Sequence, residues 1–174
     1  AMAYDACDGA SAEAIGEGSV GAGTGTPVGK AAGAERAMKG GVGCAVASSA
    51  AASAAASAND AIHVGALAVV NALGDVRDGA GTIIAGARAD AGGFLDSARL
   101  IAAGVGPDGG AGGGFAAAAM RNTTLAVVVA SVPLSRVALQ QVAQAATAAL
   151  HRRITPAGTT FDGVYLLTQA NRSP

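Results

Sequence analysis

A mixed α and β fold built on a layered sheet is predicted by three features of this sequence. The first is a near-continuous apolar run at 124–130, TLAVVVA, the pattern of a strand covered on both faces. The second is a helical pattern over 136–152, introduced by Ser135 as a helix cap. It sets Leu139, Val142, Ala143, Ala146 and Leu150 on one face and Gln140, Gln141, Gln144 and Thr147 on the other. The third is a short apolar strand at 164–168 after that helix, with several strand-like stretches before it. A strand, helix, strand order closing a series of strands places the chain in the α+β class.

The elements follow in order. Residues 2–14 combine small and acidic side chains and predict a short helix. A glycine-rich loop runs over 16–29. Residues 32–38 predict a short helical turn with Glu35, Arg36 and Lys39 exposed, and the small residues at 41–48 read as a strand. The run SAAASAAASA at 49–58 is of low complexity, either a wide turn or a helix by alanine propensity. An apolar strand at 61–70 ends at Asn71. A hairpin over 75–84 turns at Asp78-Gly79 and returns through Ile83 and Ile84. Residues 93–103 predict a short helix, and 104–114 is too rich in glycine to order itself. At the end of the 136–152 helix, Arg152 and Arg153 suit the negative pole of its dipole, and Pro156 stops its continuation. No internal repeat interrupts this order.

Composition bounds the function. At 174 residues the chain has room for one domain with its own core. Apolar residues make up 51%, yet alanine supplies much of that and aromatics only 3%, so few large side chains can fill the core. The 27 glycines are about twice the usual share and suit close backbone packing. A net charge of -1, with scattered charges and no basic patch, argues against nucleic acid as a partner. No stretch runs far enough without polar or glycine interruption to span a membrane, and the N-terminus lacks the order of a signal peptide. Cys7 and Cys44 are too few and too far apart for a disulfide framework. They read as small buried thiols, with a cytoplasmic location expected.

Several motifs fail on spacing. In GAGTGTPVGK at 21–30, a phosphate loop needs glycine where Thr24 stands and Ser or Thr where Ala31 stands. The dinucleotide fingerprint fails because Thr26 and Val28 occupy the place of its last glycine. Zinc spacing is absent, and no cofactor or metal is expected. His63, inside an apolar strand, and His151, at a helix C-terminus, read as structural, which weakens a serine–histidine triad.

One arrangement survives. The glycine-rich loop GPDGGAGGGF at 106–115 leads to Arg121-Asn122-Thr123-Thr124 at the head of the apolar strand. A break between Asn122 and Thr123 makes Thr123 an N-terminal residue that carries a hydroxyl nucleophile and an amine base together. A free α-amine has a reference pKa of roughly 7.7 to 8.0, so a useful fraction is unprotonated near neutrality. In the uncut chain the Thr123 hydroxyl attacks the Asn122 carbonyl, and water opens the resulting ester.

Taken in order, GSVGAGTGTPVGKAAGAERAMKGGVG (18–43), ALAVVNALGDV (66–76), GTIIAGAR (81–88) and NTTLAVVVAS (122–131) resemble the L-aminopeptidase/D-esterase family. That family includes β-aminopeptidases and the nylon-oligomer hydrolase. The resemblance runs from about residue 18 to 168, and its specificity lies in the order of the motifs. It implies an αββα four-layer sandwich of the N-terminal-nucleophile-hydrolase type, usually oligomeric, made as one precursor that splits in two. Here 1–122 would close the large chain and 123–174 would form the small one, within a single domain. The resemblance implies Thr123 as nucleophile, Lys30 as a nearby cation, and Asn71 as donor to the developing oxyanion. Asp162, in TTFDG, is implied as the acid that orients the lysine. Each residue also has a plainer role: a loop charge at Lys30, turn residues at Asn71 and Asp162, a strand start at Thr123. The resemblance, not the spacing, moves all four toward function.

The chain departs from relatives in three places. They are longer on the N-terminal side, so the sandwich is expected to be incomplete there, and Tyr4 does not match a pocket tyrosine of theirs. They carry an acid two positions after Asp162, where Val164 stands, and often His-Thr where this chain has Gly158-Thr159. They have a tighter turn in place of the alanine–serine run.

The leading expectation is a self-processing hydrolase of short peptides or amides. The competing one is a non-catalytic relative that serves as an assembly or binding module. Acyl transfer to an amine, as in the ornithine-acetylating acetyltransferases of similar architecture, ranks third. Association is expected, with a second copy or with a missing N-terminal half.

Overall fold

The computed structural model describes residues 2–49, 61–105, 122–159 and 162–171. The alanine–serine run from residue 50, the loop 106–115 and Arg121 lie outside the described residues. The helices are α1 (Met2–Asp8), α2 (Ser97–Ala102) and α3 (Arg136–Arg153). The strands in the first half are β1 (Pro27–Val28), β2 (Met38–Lys39), β3 (Gly41–Ser48), β4 (His63–Val70), β5 (Asp75–Arg77) and β6 (Ile83–Ala85). Those in the second half are β7 (Thr123–Ala130), β8 (Ile154–Thr155) and β9 (Gly163–Ala170). This is an α+β arrangement of mixed sheets with a few helices. The described residues show one main sheet and one long helix, not the four layers the resemblance implies.

The main sheet has the order β3-β4-β7-β9. β4 runs antiparallel to β3 and β7, and β9 runs parallel to β7. Parallel neighbours require a crossover connection, and α3 lies within it. Ser135 caps α3, its Oγ accepting from Ala138 N at 3.2 Å. The helix packs against β9. Its predicted inner face is half-buried and its three glutamines are exposed. Thr147 breaks the prediction: it is half-buried, with its hydroxyl donating back to the Ala143 carbonyl at 2.8 Å. That local bond satisfies the hydroxyl without water.

Thr124, Ala126, Val128 and Ala130 are buried on one face of β7. Small residues there let neighbouring backbone approach closely. The other face contradicts the expected double cover. Along it the register aligns Val46, Leu125, Val129, Tyr165 and Leu167, and Tyr165 and Leu167 are 65% and 71% exposed. A continuous apolar run reported what both sides of β7 want, not what the described residues supply.

A second sheet, β6-β5-β8, and the β1-β2 ribbon sit beside the main sheet. Buried Val28, Ala72 and Ile154 form the core between these elements, with Met38, Val70, Val76, Ala85, Leu150 and Ala157 packed on it.

Other expectations need correction. α1 stops at Asp8, short of residue 14, where Gly9 closes a turn onto the Asp5 carbonyl at 2.9 Å; glycine is a poor helix former. The 32–38 helical turn is instead two 3-10 turns, Lys30–Ala32 and Ala34–Arg36, followed by β2. Arg36 is not a solvated charge but half-buried, forking onto Asp90 at 2.8 and 3.0 Å. The 93–103 helix shortens to α2, because Asp96 caps it by accepting from Arg99 N. The hairpin forms, with its left-handed turn position at Gly81 (φ 87°). Cys7 and Cys44 are exposed, not buried: α1 buries none of its residues and β3 is an edge strand. His63 opens β4 at the surface and meets Ser48 across the ladder, Nδ1 to Oγ 2.7 Å. No helix among the described residues is long and apolar enough to cross a membrane.

Candidate active site

The five residues 71–75, between β4 and the hairpin, join the parts of the site through their main chain. The glycine-rich loop docks on them: Gly29 N donates to Gly74 O at 2.8 Å and Lys30 N to Leu73 O at 2.9 Å. Gly29 is required there. Its φ is 71°, and a Cβ would stand 2.1 Å from Ala87 N and from the Gly86 carbonyl carbon. The chain then turns at Lys30–Ala32, which aims Lys30 back at Asn71. Lys30 Nζ donates to Asn71 Oδ1 at 2.7 Å and to Asn71 O at 3.4 Å.

The same Asn71 carbonyl accepts from Thr123 N at 2.9 Å, at the head of β7. Thr123 Oγ1 donates to the carbonyl of Asn122, at 2.8 Å. That carbonyl also accepts from Gly163 N at 3.2 Å, where β9 begins. Asn122 is buried, so the bond between residues 122 and 123 is held inside the protein with two donors on its oxygen.

Asp162 precedes β9 and is buried. Its Oδ2 accepts from Leu73 N at 3.4 Å, and its Oδ1 is buried without a hydrogen-bond partner among the described residues. Burial pushes the Asp162 carboxyl above the ordinary carboxylate range, opposed by the Leu73 N–H and the charges of Lys30 and His151. Burial likewise pulls the Lys30 ammonium down to about 8, opposed by Asp162. The two groups therefore hold each other charged against desolvation.

All four residues singled out from the sequence, Lys30, Asn71, Thr123 and Asp162, are thus linked through one short segment. Val164 pairs with Thr124, whose buried hydroxyl finds no partner among the described residues. Two contributors were missed. Gly163 acts through its N–H, which no sequence pattern marks. Asp75 is fully buried and accepts from Ala87 N (3.0 Å), Ser97 N (2.5 Å) and Ser97 Oγ (2.6 Å). It anchors the 71–75 segment to β6 and α2. An acid at a hairpin start reads as surface, and only its partners, distant in sequence, explain its burial.

Chemically, the cluster places a hydroxyl beside a peptide carbonyl, two donors on the carbonyl oxygen, and a buried cation next to an amide side chain. No cluster of acidic, histidine or cysteine side chains able to hold a metal exists among the described residues. Over residues 1–173 the sequence matches the family model described as Peptidase family S58. No curated protein matches it.

Proposed function

The chain belongs to peptidase family S58, a family of hydrolases and the one its motifs resemble, and we propose on that premise that it is a self-processing peptide or amide hydrolase with Thr123 as nucleophile. The observation that carries this reading is the Thr123 hydroxyl 2.8 Å from the Asn122 carbonyl oxygen, with Gly163 N–H on the same oxygen. In self-cleavage, Oγ1 adds to the Asn122 carbonyl carbon and negative charge gathers on its oxygen, where Gly163 N–H donates. The C–N bond then breaks, the hydroxyl proton ends on the departing nitrogen, and water hydrolyses the ester. Thr123 is left with a free amine beside the Asn71 carbonyl.

That amine serves as the base for Oγ1 in turnover. The Lys30 cation nearby favours its unprotonated form. With Oδ1 of Asn71 engaged by Lys30, its amide nitrogen is the donor for the substrate oxyanion. One such preorganised donor is worth about 10² to 10³ in rate. Substrates are short peptides or amides with a free amine.

Intact mass under denaturing conditions tests the processing step. Two masses meeting at residues 122 and 123 are expected, replaced by a single 16.4 kDa species in Thr123→Ala. A single mass for the native sequence would favour a non-catalytic binding module, and cleavage that survives Thr123→Ala would sink the assignment.

A further inference from the structure

Two buried polar atoms beside the candidate site take no part in the proposed chemistry. Thr124 Oγ1 and Asp162 Oδ1 have no hydrogen-bond partner among the described residues. Thr124 is 0% exposed and Asp162 2%. Such atoms are uncommon in folded proteins, because each carries the full cost of its desolvation.

Strand register brings the two together. β9 runs parallel to β7, with Thr123 opposite Gly163 and Thr124 opposite Val164. The pairing reaches back one residue, since Gly163 N donates to Asn122 O at 3.2 Å. Side chains alternate along a strand, so Asp162 falls on the face of Val164 and therefore on that of Thr124. This is the buried face, on which Ala126, Val128 and Ala130 follow Thr124. Asp162 Oδ2 accepts from Leu73 N at 3.4 Å, which leaves Oδ1 to take a donor from elsewhere. Paired strands about 4.8 Å apart, rising about 3.3 Å per residue, set the Thr124 and Asp162 Cα atoms roughly 8 Å apart. Two short side chains projecting from one face leave a gap that a direct hydrogen bond of about 2.8 Å does not close. Two hydrogen bonds through one water do.

We propose that one buried water molecule joins Thr124 Oγ1 to Asp162 Oδ1, which makes Thr124 a positioning residue for the Asp162 carboxylate. The water accepts from the Thr124 hydroxyl and donates to Oδ1. Asn122, buried on the same face, is a third polar neighbour, and a buried water typically takes about three. The use of the bridge, to fix a carboxylate beside the 122–123 bond, rests on the hydrolase reading above. Its existence does not.

Crystal structures of the native protein, Thr124→Ser and Thr124→Val test the bridge. A water oxygen about 3 Å or less from both atoms is expected in the first two. Valine keeps the shape without the hydroxyl, and the bridge is lost. The Asp162 side-chain carbon, followed by NMR with carbon-13 aspartate and identified by its loss in Asp162→Asn, gives the second readout. A carboxylate that loses a donor is protonated more readily. In Thr124→Val its midpoint therefore rises by about one pH unit, the scale of one hydrogen bond to a charged group. Thr124→Ser keeps the native midpoint, and the charges of Lys30 and His151, which also act on Asp162, are present in every variant. A direct Thr124–Asp162 hydrogen bond, the lack of a shared water, or a midpoint unmoved by valine overturns the proposal. If the valine variant does not fold, the native and serine structures still decide. Neither readout needs turnover, so a bridge in a chain that never cleaves itself leaves the inference standing and removes the hydrolase.

Discussion

Asn71 shows how one side chain and one carbonyl organise this site. Its Oδ1 and O both receive Lys30, and its O also receives the Thr123 N–H. A change at Asn71 therefore disturbs Lys30 and Thr123 together. Lys30 makes the sharpest prediction at this scale. Burial holds it at about 8, so its cation is present below that pH and lost above it. If the cation supports the amine base and the developing charge, the rate falls as pH rises through about 8. Lys30→Arg, which stays charged, moves that basic limb to higher pH. A kcat/KM profile against a small amide that keeps rising past pH 9 would sink this role. Residue identity in this cluster was legible only through the ordered motifs, because Lys30, Asn71, Thr123 and Asp162 come from four distant stretches. Hydrogen bonds of the main chain between 71 and 75 unite them, and main-chain bonds leave no mark on residue type. Gly163 illustrates the same blindness, since its contribution is a backbone N–H.

Among the elements, legibility followed length. α3 and the strands of the main sheet stand close to where periodicity and capping placed them, because many residues vote for each. The 3-10 turns around Lys30 were misread as a single helical turn because Gly29 and Gly33, not propensity, decide the path there. The Gly33 Cβ position would fall on the Glu35 carboxylate, 2.3 Å from Oε1. The hairpin was legible as a hairpin but not as the anchor it is. Asp75 at its start holds two backbone N–H groups and the Ser97 hydroxyl, all buried with it. Asp75→Ala leaves three buried donors without an acceptor, at about 1 kcal/mol or more each. A loss of about 3 kcal/mol or more is expected from urea unfolding. A loss below 1 kcal/mol would mean that water or relaxation replaces the carboxylate. Because Asp75 closes the 71–75 segment, the same variant should also slow the proposed self-cleavage.

Among the described residues as a whole, the dominant fact is a sheet with α3 packed against β9 on one side and a row of exposed apolar side chains on the other. Val46, Leu125, Val129, Tyr165 and Leu167 make up that row. Contiguous apolar surface of this kind marks an interaction face. The composition is consistent with this, since alanine-rich packing leaves few large side chains inside. Self-association that rises with concentration is therefore expected in sedimentation velocity, and Tyr165→Lys with Leu167→Lys should return the protein to monomer. A monomer at every concentration would contradict that role for the face. Which strand faces were covered could not be read from the apolar run at 124–130, since such a run states a requirement rather than a neighbour. The place of β7 between β4 and β9 has one more consequence. A break ahead of Thr123 would not release the last 52 residues, because they supply two of the four strands and lie laced against β4. The mature molecule would then be a two-piece complex that folded as one piece. Its unfolding would let the halves diffuse apart, and its recovery would become a second-order reunion in dilute solution. Maturation would turn a reversible fold into one whose persistence rests on never coming open.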